Sequence, residues 1–431
     1  MKRWRLYPIY KPSGIEWLGE IPEHWEFFRL KYCAGLINEK VDGRKSELPY
    51  TGLEHIESWT GKRIAVNETA TSDGQASRYK KGDVLFGKLR PYLAKALCIR
   101  EKEGICTGEL LVLRPKCVIQ DYLLSYILSS DFISVVDSST YGAKMPRASW
   151  EFIGNLPVFV PPLDEQRAIA AFLDRETARI DALVATREHF IELLAEKRTA
   201  LISQAVTKGL DPDVPLKDSG VEWLGEIPGH WEVKRLKHIA RINLNTLTEG
   251  TEPDYVIKYI DIGNVGENGL LAEPEKMIFG NAPSRARRII KKDNVIISTV
   301  RTYLKAIAHF PNPEDNLVCS TGFAVLEPGN LIIPRFLYYL AHCDKFIETI
   351  MAYSVGLGYP AINTSVFAGF PVWLPTISEQ ETIAAYLDTE TAKIDSLITK
   401  TRKSIEKLKE YRTALVSAAV TGKIDVRKEA P

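Results

Sequence analysis

The sequence contains no Cys-x-x-Cys pair. Its six cysteines stand apart at 33, 98, 106, 117, 319 and 343. That spacing excludes a zinc ribbon and a disulfide framework, and implies buried free thiols in a reducing compartment. Seven histidines are scattered with no i, i+4 pair, so the helical zinc-hydrolase spelling is missing. No apolar run approaches the ~20 residues that a bilayer-spanning helix needs. Met1-Lys2-Arg3 leads into Trp4 and Tyr7-Pro8 with no apolar core of signal-peptide length. A soluble, cytoplasmic protein without a membrane partner is expected. Net charge is also lacking: 56 basic residues face 55 acidic ones, which excludes a globally basic coat but leaves local basic patches open. There is no P-loop and no glycine-rich cofactor loop after a strand. The Asn-Pro-Pro-aromatic and Asp-Pro-Pro-aromatic tetrapeptides of amino-methylating enzymes are absent too. Pro212-Asp213 followed by Glu232-Val233-Lys234 spells the pattern of a Mg²⁺-dependent nuclease. The matching place earlier in the chain reads Glu26-Phe27-Phe28 without a Pro-Asp before it, so the match is read as chance. A self-sufficient nuclease or methyltransferase therefore lacks its motifs.

What is present is a long helical stretch and its duplicate. From Pro161-Pro162-Leu163-Asp164-Glu165-Gln166 to about Val206, apolar residues recur at Ile169, Leu173, Ile180, Leu183, Val184, Ile191, Leu194, Leu201 and Ala205. Steps of three and four residues make one helical stripe close to a heptad repeat. No Pro or Gly interrupts it; Asp164 is the expected N-cap, and Gly209 and Pro212 follow its end. About 43 residues make a rod of roughly 60 Å, too long for one small core. The expected partner is the second copy: Ser378-Glu379-Gln380, then Ile383, Leu387, Ile394, Leu397, Ile398, Ile405, Leu408, Leu415 and Ala419. Ser378 and Glu381 spell a capping box. The offset is constant at 214 residues (379 − 165, 412 − 198).

The rest of the chain is duplicated as well. Ser13-Gly14-Ile15-Glu16-Trp17-Leu18-Gly19-Glu20-Ile21-Pro22-Glu23-His24-Trp25 returns as Ser219-Gly220-Val221-Glu222-Trp223-Leu224-Gly225-Glu226-Ile227-Pro228-Gly229-His230-Trp231. Paired tryptophans beside Gly and Pro imply an irregular segment pinned by buried indoles. Residues 1–11 read as a short aromatic and basic surface arm. Residues 26–160 form a first unit, with strands at Asp83–Phe86, Glu109–Leu113 and Pro157–Pro161 and a helix at Asp121–Phe132. Residues 232–374 form a second unit, with a helix at Tyr338–Ile350 and a last strand at Pro371–Pro375. The boundaries expected are 1–160, 161–210 for the first long helix, 211–375, 376–423 for the second, and a tail at 424–431. Between the shared marks the two units differ almost completely. A fixed scaffold with variable interiors implies that each interior does something different from its twin.

Two basic clusters with interleaved aromatics occupy matching places. In the first unit these are Arg78, Lys80, Lys81, Lys88, Arg90 and Lys95, with Tyr79 and Tyr92 among them. In the second they are Arg285, Arg287, Arg288, Lys291, Lys292 and Arg301, with Tyr303. Such side chains neutralise phosphates, and arginine forks onto guanine edges. Alone, each cluster fits a solvated face; recurrence at matched places favours nucleic acid. Two glycine-bearing loops precede the last strands, Tyr141-Gly142-Ala143-Lys144-Met145-Pro146-Arg147 and Val355-Gly356-Leu357-Gly358-Tyr359-Pro360. They are either close-approach loops or ordinary turns. Lys144 and Arg147 join the candidate DNA contacts.

At this point the residues resemble a known family. Pro161-Pro162-Leu163-x-Glu165-Gln166-x-x-Ile169 before a long helix, repeated at Leu374-Pro375-x-x-x-Glu379-Gln380-x-x-Ile383, is similar to the specificity subunit of type I restriction–modification enzymes. The Trp-Leu-Gly-Glu-Ile-Pro-x-His-Trp segment that opens each unit is similar too. Thr376-Ile377 departs from Pro162-Leu163 in the first copy. The resemblance covers essentially the whole chain. It implies an α+β protein of two target-recognition domains separated by two conserved helices in an antiparallel coiled coil, with a pseudo-two-fold repeat. Each domain would read one half of a bipartite, asymmetric site in double-stranded DNA. The helices would set the spacing and dock two modification subunits. The resemblance implies no cofactor on this chain: S-adenosylmethionine, ATP and Mg²⁺ would belong to modification and restriction subunits of the complex. A coiled-coil scaffold that binds only proteins is the rival reading; it fits the duplication but not the matched basic clusters.

Overall fold

The structure, a computed structural model, describes residues 4–15, 19–64, 74–142, 144–267 and 269–429. Two long helices, Leu163–Lys208 and Ile377–Val420, are 46 and 44 residues long. Each contributes to both of the compact units into which the chain divides, Met1–Glu188 with Arg402–Pro431, and His189–Thr401. The first helix starts at Leu163, so Asp164 lies in its first turn, favourable to the helix dipole, and is not the cap. In the second copy the cap is Thr376, whose hydroxyl accepts from the Glu379 N–H at 3.3 Å. Ser378 and Glu381 already lie inside the helix, so the capping box is not the one the spelling suggested.

In the first unit the two helices run antiparallel, their pairs descending the second helix as they ascend the first. Asp181 meets Arg412 at 2.9 Å and Glu188 meets Lys409 at 3.3 Å, while Arg187 meets the Ser404 hydroxyl. In the second unit Arg198 meets Asp395 at 3.2 Å. By the 214-residue offset this is the same ion pair as Asp181–Arg412 with the helices exchanged. Both arginines are largely enclosed, their side chains 9% and 12% exposed. Register is therefore set by these pairs. Ile169, Leu173, Ile180, Val184, Leu194, Ala205, Ile383, Leu387, Ile394, Ile405, Leu415 and Ala419 are buried as the stripe predicts. Leu183 and Leu397, which occupy the same position in the two copies, are not: they stay 43% and 45% exposed.

Each unit also carries two four-stranded sheets. In the first unit one sheet is antiparallel, in the order Ala34–Ile37, Leu110–Pro115, Val84–Gly87, Ala96–Cys98. Its counterpart in the second unit is Ala240–Ile242, Phe323–Pro328, Asn294–Ser298, Ile307–Phe310. The second sheet of each unit shares a three-strand centre with one parallel pair: Tyr50–Thr51, Glu103–Thr107 and Gln75–Lys80 in the first unit, and Val256–Ile260, Leu317–Ser320 and Ala286–Ile289 in the second. The added edge strand differs. Lys40–Asp42 extends the sheet beside Gln75–Lys80, whereas Glu275–Ile278 extends the other side, beside Val256–Ile260. The interiors thus diverge at sheet edges, where strands can be added without disturbing a core.

The last strands pair as expected from their prolines, Pro157–Val160 with Glu26–Arg29 and Pro371–Leu374 with Glu232–Arg235. Each expected single helix is in fact two, Gln120–Ile127 then Ser130–Ser138, and Pro334–Ala341 then Asp344–Ala352. Ser129 breaks the first by capping the Phe132 N–H with its own side chain, a competition that apolar periodicity does not reveal. The expected surface arm is also docked: Tyr10–Pro12 pairs with Glu20–Pro22 and Tyr7 is 3% exposed. No helix among the described residues is long and apolar enough to cross a membrane.

Two outcomes follow from the seam. Leu194→Ala, at a buried position, is expected to cost about 2–5 kcal/mol; Leu408→Ala, only half-buried, is expected to cost less, read from denaturant midpoints. Burial alone would raise the Asp181 carboxyl, but Lys62 and Arg412 hold it below the ordinary carboxylate value. A depressed folded-state pKa adds stability above the unfolded value that is lost as pH falls through the folded one. Asp181→Asn is therefore expected to be destabilised at neutral pH, with the gap to the parent closing as pH drops below the carboxylate range.

Candidate nucleic-acid interface

Each globular part is fastened to a long helix by the same pair of residues. Glu165 is 5% exposed and accepts hydrogen bonds from the Trp25 indole at 3.1 Å, His24 Nε2 at 2.8 Å and the Tyr7 hydroxyl. Burial and this carboxylate push the Tyr7 phenol far above its usual pKa. Glu379 repeats the arrangement with Trp231 at 3.0 Å and His230 at 2.9 Å. Gln166 accepts from the Ile119 N–H at 2.8 Å and donates to the Pro161 carbonyl at 2.9 Å; Gln380 does the same with Ile333 and Pro375, at 2.9 and 3.0 Å. Trp25 and Trp231 are wholly buried, which upholds packing as the role of the duplicated segment; Glu16, Trp17 and Leu18 lie outside the described residues.

On that mount each unit presents a matching turn. Pro91–Leu93 is a 3-10 turn flanked by left-handed residues Arg90 (φ 49°) and Ala94 (φ 46°). Thr302–Leu304 is its twin, flanked by Arg301 (φ 52°) and Lys305 (φ 48°). Left-handed backbone is disfavoured for side chains other than Gly, so its retention twice in each unit means that the surrounding bonds over-determine it. The glycine-bearing loops are fixed to these turns. Arg90 N–H donates to the Pro146 carbonyl at 2.8 Å, and Arg301 N–H to the Pro360 carbonyl at 2.7 Å. Of the two loop readings, close backbone approach is the one observed. The turn tyrosines point outward, Tyr92 at 45% and Tyr303 at 50% exposure.

The candidate residues fall into two groups. Lys88, Arg90, Tyr92, Lys144 and Arg147 gather at the first turn and loop, as Arg301 and Tyr303 do at the second. Arg147 is engaged by Glu109 at 3.0 and 3.1 Å, while Lys144 is exposed. The other group lies on the mixed sheets. Arg78 is clamped between Glu39 and Glu103 at 3.0 and 2.6 Å. Lys80 and Lys81 follow it, exposed. Arg285 bonds Tyr259 and Asp261, the latter at 2.8 Å. Arg287 lies 4.6 Å over the Phe279 ring. Arg288 is half-buried, its Nε–H without an acceptor among the described residues, and burial lowers its pKa. Lys291 and Lys292 are exposed. Lys95, which follows the first turn rather than lying on a mixed sheet, donates to the Leu53 carbonyl at 2.7 Å. Screening by charge overlooked the apolar members of the loops: Tyr141, Met145, Leu357 and Tyr359 are all exposed, and their signal was the glycine spacing.

The described residues hold no group of three His, Cys, Asp or Glu side chains able to bind a metal. Glu232 is paired with Lys234 at 2.8 Å, which holds its carboxyl low. All six cysteines are free; five are buried, and Cys117 alone is exposed.

A family model described as "Type I restriction modification DNA specificity domain" matches residues 22–193 and 228–407. Among curated proteins, the "Type I restriction enzyme MjaVIII specificity subunit" of Methanocaldococcus jannaschii is 24% identical, with 94% of each chain covered. The "Putative type I restriction enzyme MjaX specificity subunit" of the same organism is 25% identical over 98% of this chain and 99% of its own. Among solved structures, a chain from "Structural basis underlying complex assembly and conformational transition of the type I R-M system" aligns with a TM-score of 0.74 at 19% identity, covering 94% of this chain and 99% of that one. The HsdS subunit of Thermoanaerobacter tengcongensis aligns at 0.53 and 20% identity, over 94% and 98%.

Proposed function

This chain belongs to the type I restriction–modification DNA specificity family, and from that premise we propose that its two units read the two halves of a bipartite, asymmetric DNA site. The carrying observation is the duplicated left-handed turn with its attached loop. The same backbone device occurs in both units, while the residues around it differ: Lys88, Pro91 and Lys144 in one; Thr299, Thr302 and Gly358 in the other. A repeated device with different contact residues fits two related readers of unlike sequences, because half-site symmetry mirrors protein symmetry. Arg90 and Arg301 are assigned to base edges, with Tyr92 and Tyr303 beside them. Lys80, Lys81, Lys88, Lys144, Lys291 and Lys292 are assigned to phosphates, together with Arg287. Arg78, Arg147, Arg285 and Arg288, held by neighbours or partly enclosed, act chiefly by orienting these surfaces.

The chain selects the site and leaves the chemistry to its partners. Two modification subunits would use S-adenosylmethionine, and restriction subunits of the complex ATP and Mg²⁺. Leu183 and Leu397, exposed at one matched position of the two helices, support one docking place per unit for the modification subunits. The matched turns favour DNA reading over a scaffold that binds only proteins.

Lys291→Ala with Lys292→Ala is expected to weaken binding to every duplex and to flatten the salt dependence by roughly one unit of slope for each phosphate no longer neutralised; an unchanged slope would remove these lysines from the interface. Replacing residues 26–160 with the corresponding stretch of another family member is expected to change one half of the methylated site, read by methylome sequencing. A change in both halves would show that the units are not independent readers. Inserting four residues into one long helix lengthens it by about 6 Å. Against a DNA rise of ~3.4 Å per base pair, the preferred spacer is expected to grow by one or two base pairs. Binding that survives with an unchanged spacer would show that the helices are not the ruler.

A further inference from the structure

The loop of the second unit is tied down everywhere except at its tip. Val355 and Ala361 exchange both backbone hydrogen bonds, at 2.9 and 3.0 Å, and Ala361 also bridges to Val300. The Arg301 N–H holds the Pro360 carbonyl, and the Arg301 guanidinium lies 4.4 Å from the centre of the Tyr359 ring. What remains outside is Gly356-Leu357-Gly358. Gly356 takes φ 124°, a conformation that a side chain would resist. Leu357 is fully exposed, with Val355 at 80%, Tyr359 at 65% and Tyr303 at 50% around it. A single exposed leucine means little. An apolar group held at the apex of a braced loop, among other exposed apolar groups and beside an arginine, marks a binding surface. At the matching places the first unit has Ala143 for Leu357 and Lys144 for Gly358.

Building on the DNA-recognition reading, we propose that Leu357 is a wedge that enters between two stacked base pairs of the half-site read by the second unit. DNA is the occupant because the loop is built onto the turn that carries Arg301 and Tyr303, and because the matched loop of the first unit has Ala143, too short for a wedge, followed by Lys144, a group suited to phosphate. An uncharged tip gains nothing from phosphates. It gains by leaving water, and between base pairs it does so while Arg301 remains within reach of the opened step. Unstacking is easiest at pyrimidine–purine steps, so part of this half-site is read through deformability rather than hydrogen bonds. The first unit reads its half without a wedge. Pre-fixing of the loop ends keeps the ordering cost of insertion low.

The test uses the complex of the full chain with its modification subunits. The probe is a duplex carrying the methylated site, with 2-aminopurine placed at each purine in turn. Brightening is expected at one step of the half read by the second unit, away from the methylated adenine, whose own extrusion by the modification subunit gives a separate signal. Leu357→Ala is expected to abolish only the first signal and to weaken site binding about tenfold. Its salt slope should be unchanged, since a leucine neutralises no phosphate. Leu357→Phe is expected to restore the signal. A complex that binds its site without brightening at any such step would overturn the wedge while leaving DNA recognition intact, as would an L357A variant with unaltered brightening and affinity. Loss of assembly with the modification subunits in L357A without DNA would assign the loop to protein docking instead. Failure of the parent complex to prefer any duplex would overturn the recognition reading and the wedge together.

Discussion

The carboxylate at the start of each long helix is the interaction on which the remaining architecture depends. A carboxylate as enclosed as Glu165 is costly unless its lone pairs are occupied. Trp25, His24 and Tyr7 occupy them, and the helix N-terminus supplies a favourable field. The consequence is geometric. Three side chains from the N-terminal segment must converge on one point of the helix, so the globular part cannot swivel about its mount. Gln166 adds a second fixed point through the Ile119 N–H and the Pro161 carbonyl. Glu379 and Gln380 repeat the joint. Charge-assisted bonds of this kind contribute about 1.5–3 kcal/mol each, but their larger role is orientation, since they hold each globular part at a fixed angle to its helix.

The seam between the helices is specified in two ways. The apolar stripe supplies attraction without direction, since an isoleucine stripe slides by a turn at modest cost. Arg412–Asp181 and Arg198–Asp395 supply register. An exposed ion pair would contribute little. These arginines are nearly enclosed, and a slipped seam would leave them buried without partners, which costs several kcal/mol. Because the two pairs are one pair repeated with the helices exchanged, a single sequence choice, copied by duplication, fixes the register at both places.

Much of this was legible in the sequence because duplication turns weak signals into strong ones. The stripe, the Glu-Gln pair, the tryptophan segments and the final strands all appear twice at nearly fixed offsets. Details set by competition between local and tertiary bonding were not legible. Ser129 ends a helix whose apolar periodicity continues past it, and Thr376 caps where the capping-box spelling pointed to Ser378. Leu183 and Leu397 fit the stripe by spacing but face outward, since a heptad drifts around a straight helix. At the candidate interface, counting charges found Arg78 and Arg285 without revealing that Glu103 and Asp261 already hold them. The left-handed Arg90 and Arg301 carry no composition signal at all, because only the backbone records them.

The distribution of differences between the two units is itself informative. The mount, the antiparallel sheet and the turn are alike, whereas the extra strand moves from one edge of the mixed sheet to the other and the loop tip changes from Ala143-Lys144 to Leu357-Gly358. Drift in a redundant copy would scatter such changes through cores and surfaces alike, and would be costly wherever packing is tight. Here the backbone frame is retained while exposed chemistry changes at positions braced by that frame. Such an arrangement lets a new contact surface be carried without a new fold, since a rigid turn presents whatever side chains it is given. The symmetry of the scaffold and the asymmetry of what it presents then have one physical origin, a joint stiff enough that the parts outside it are free to differ.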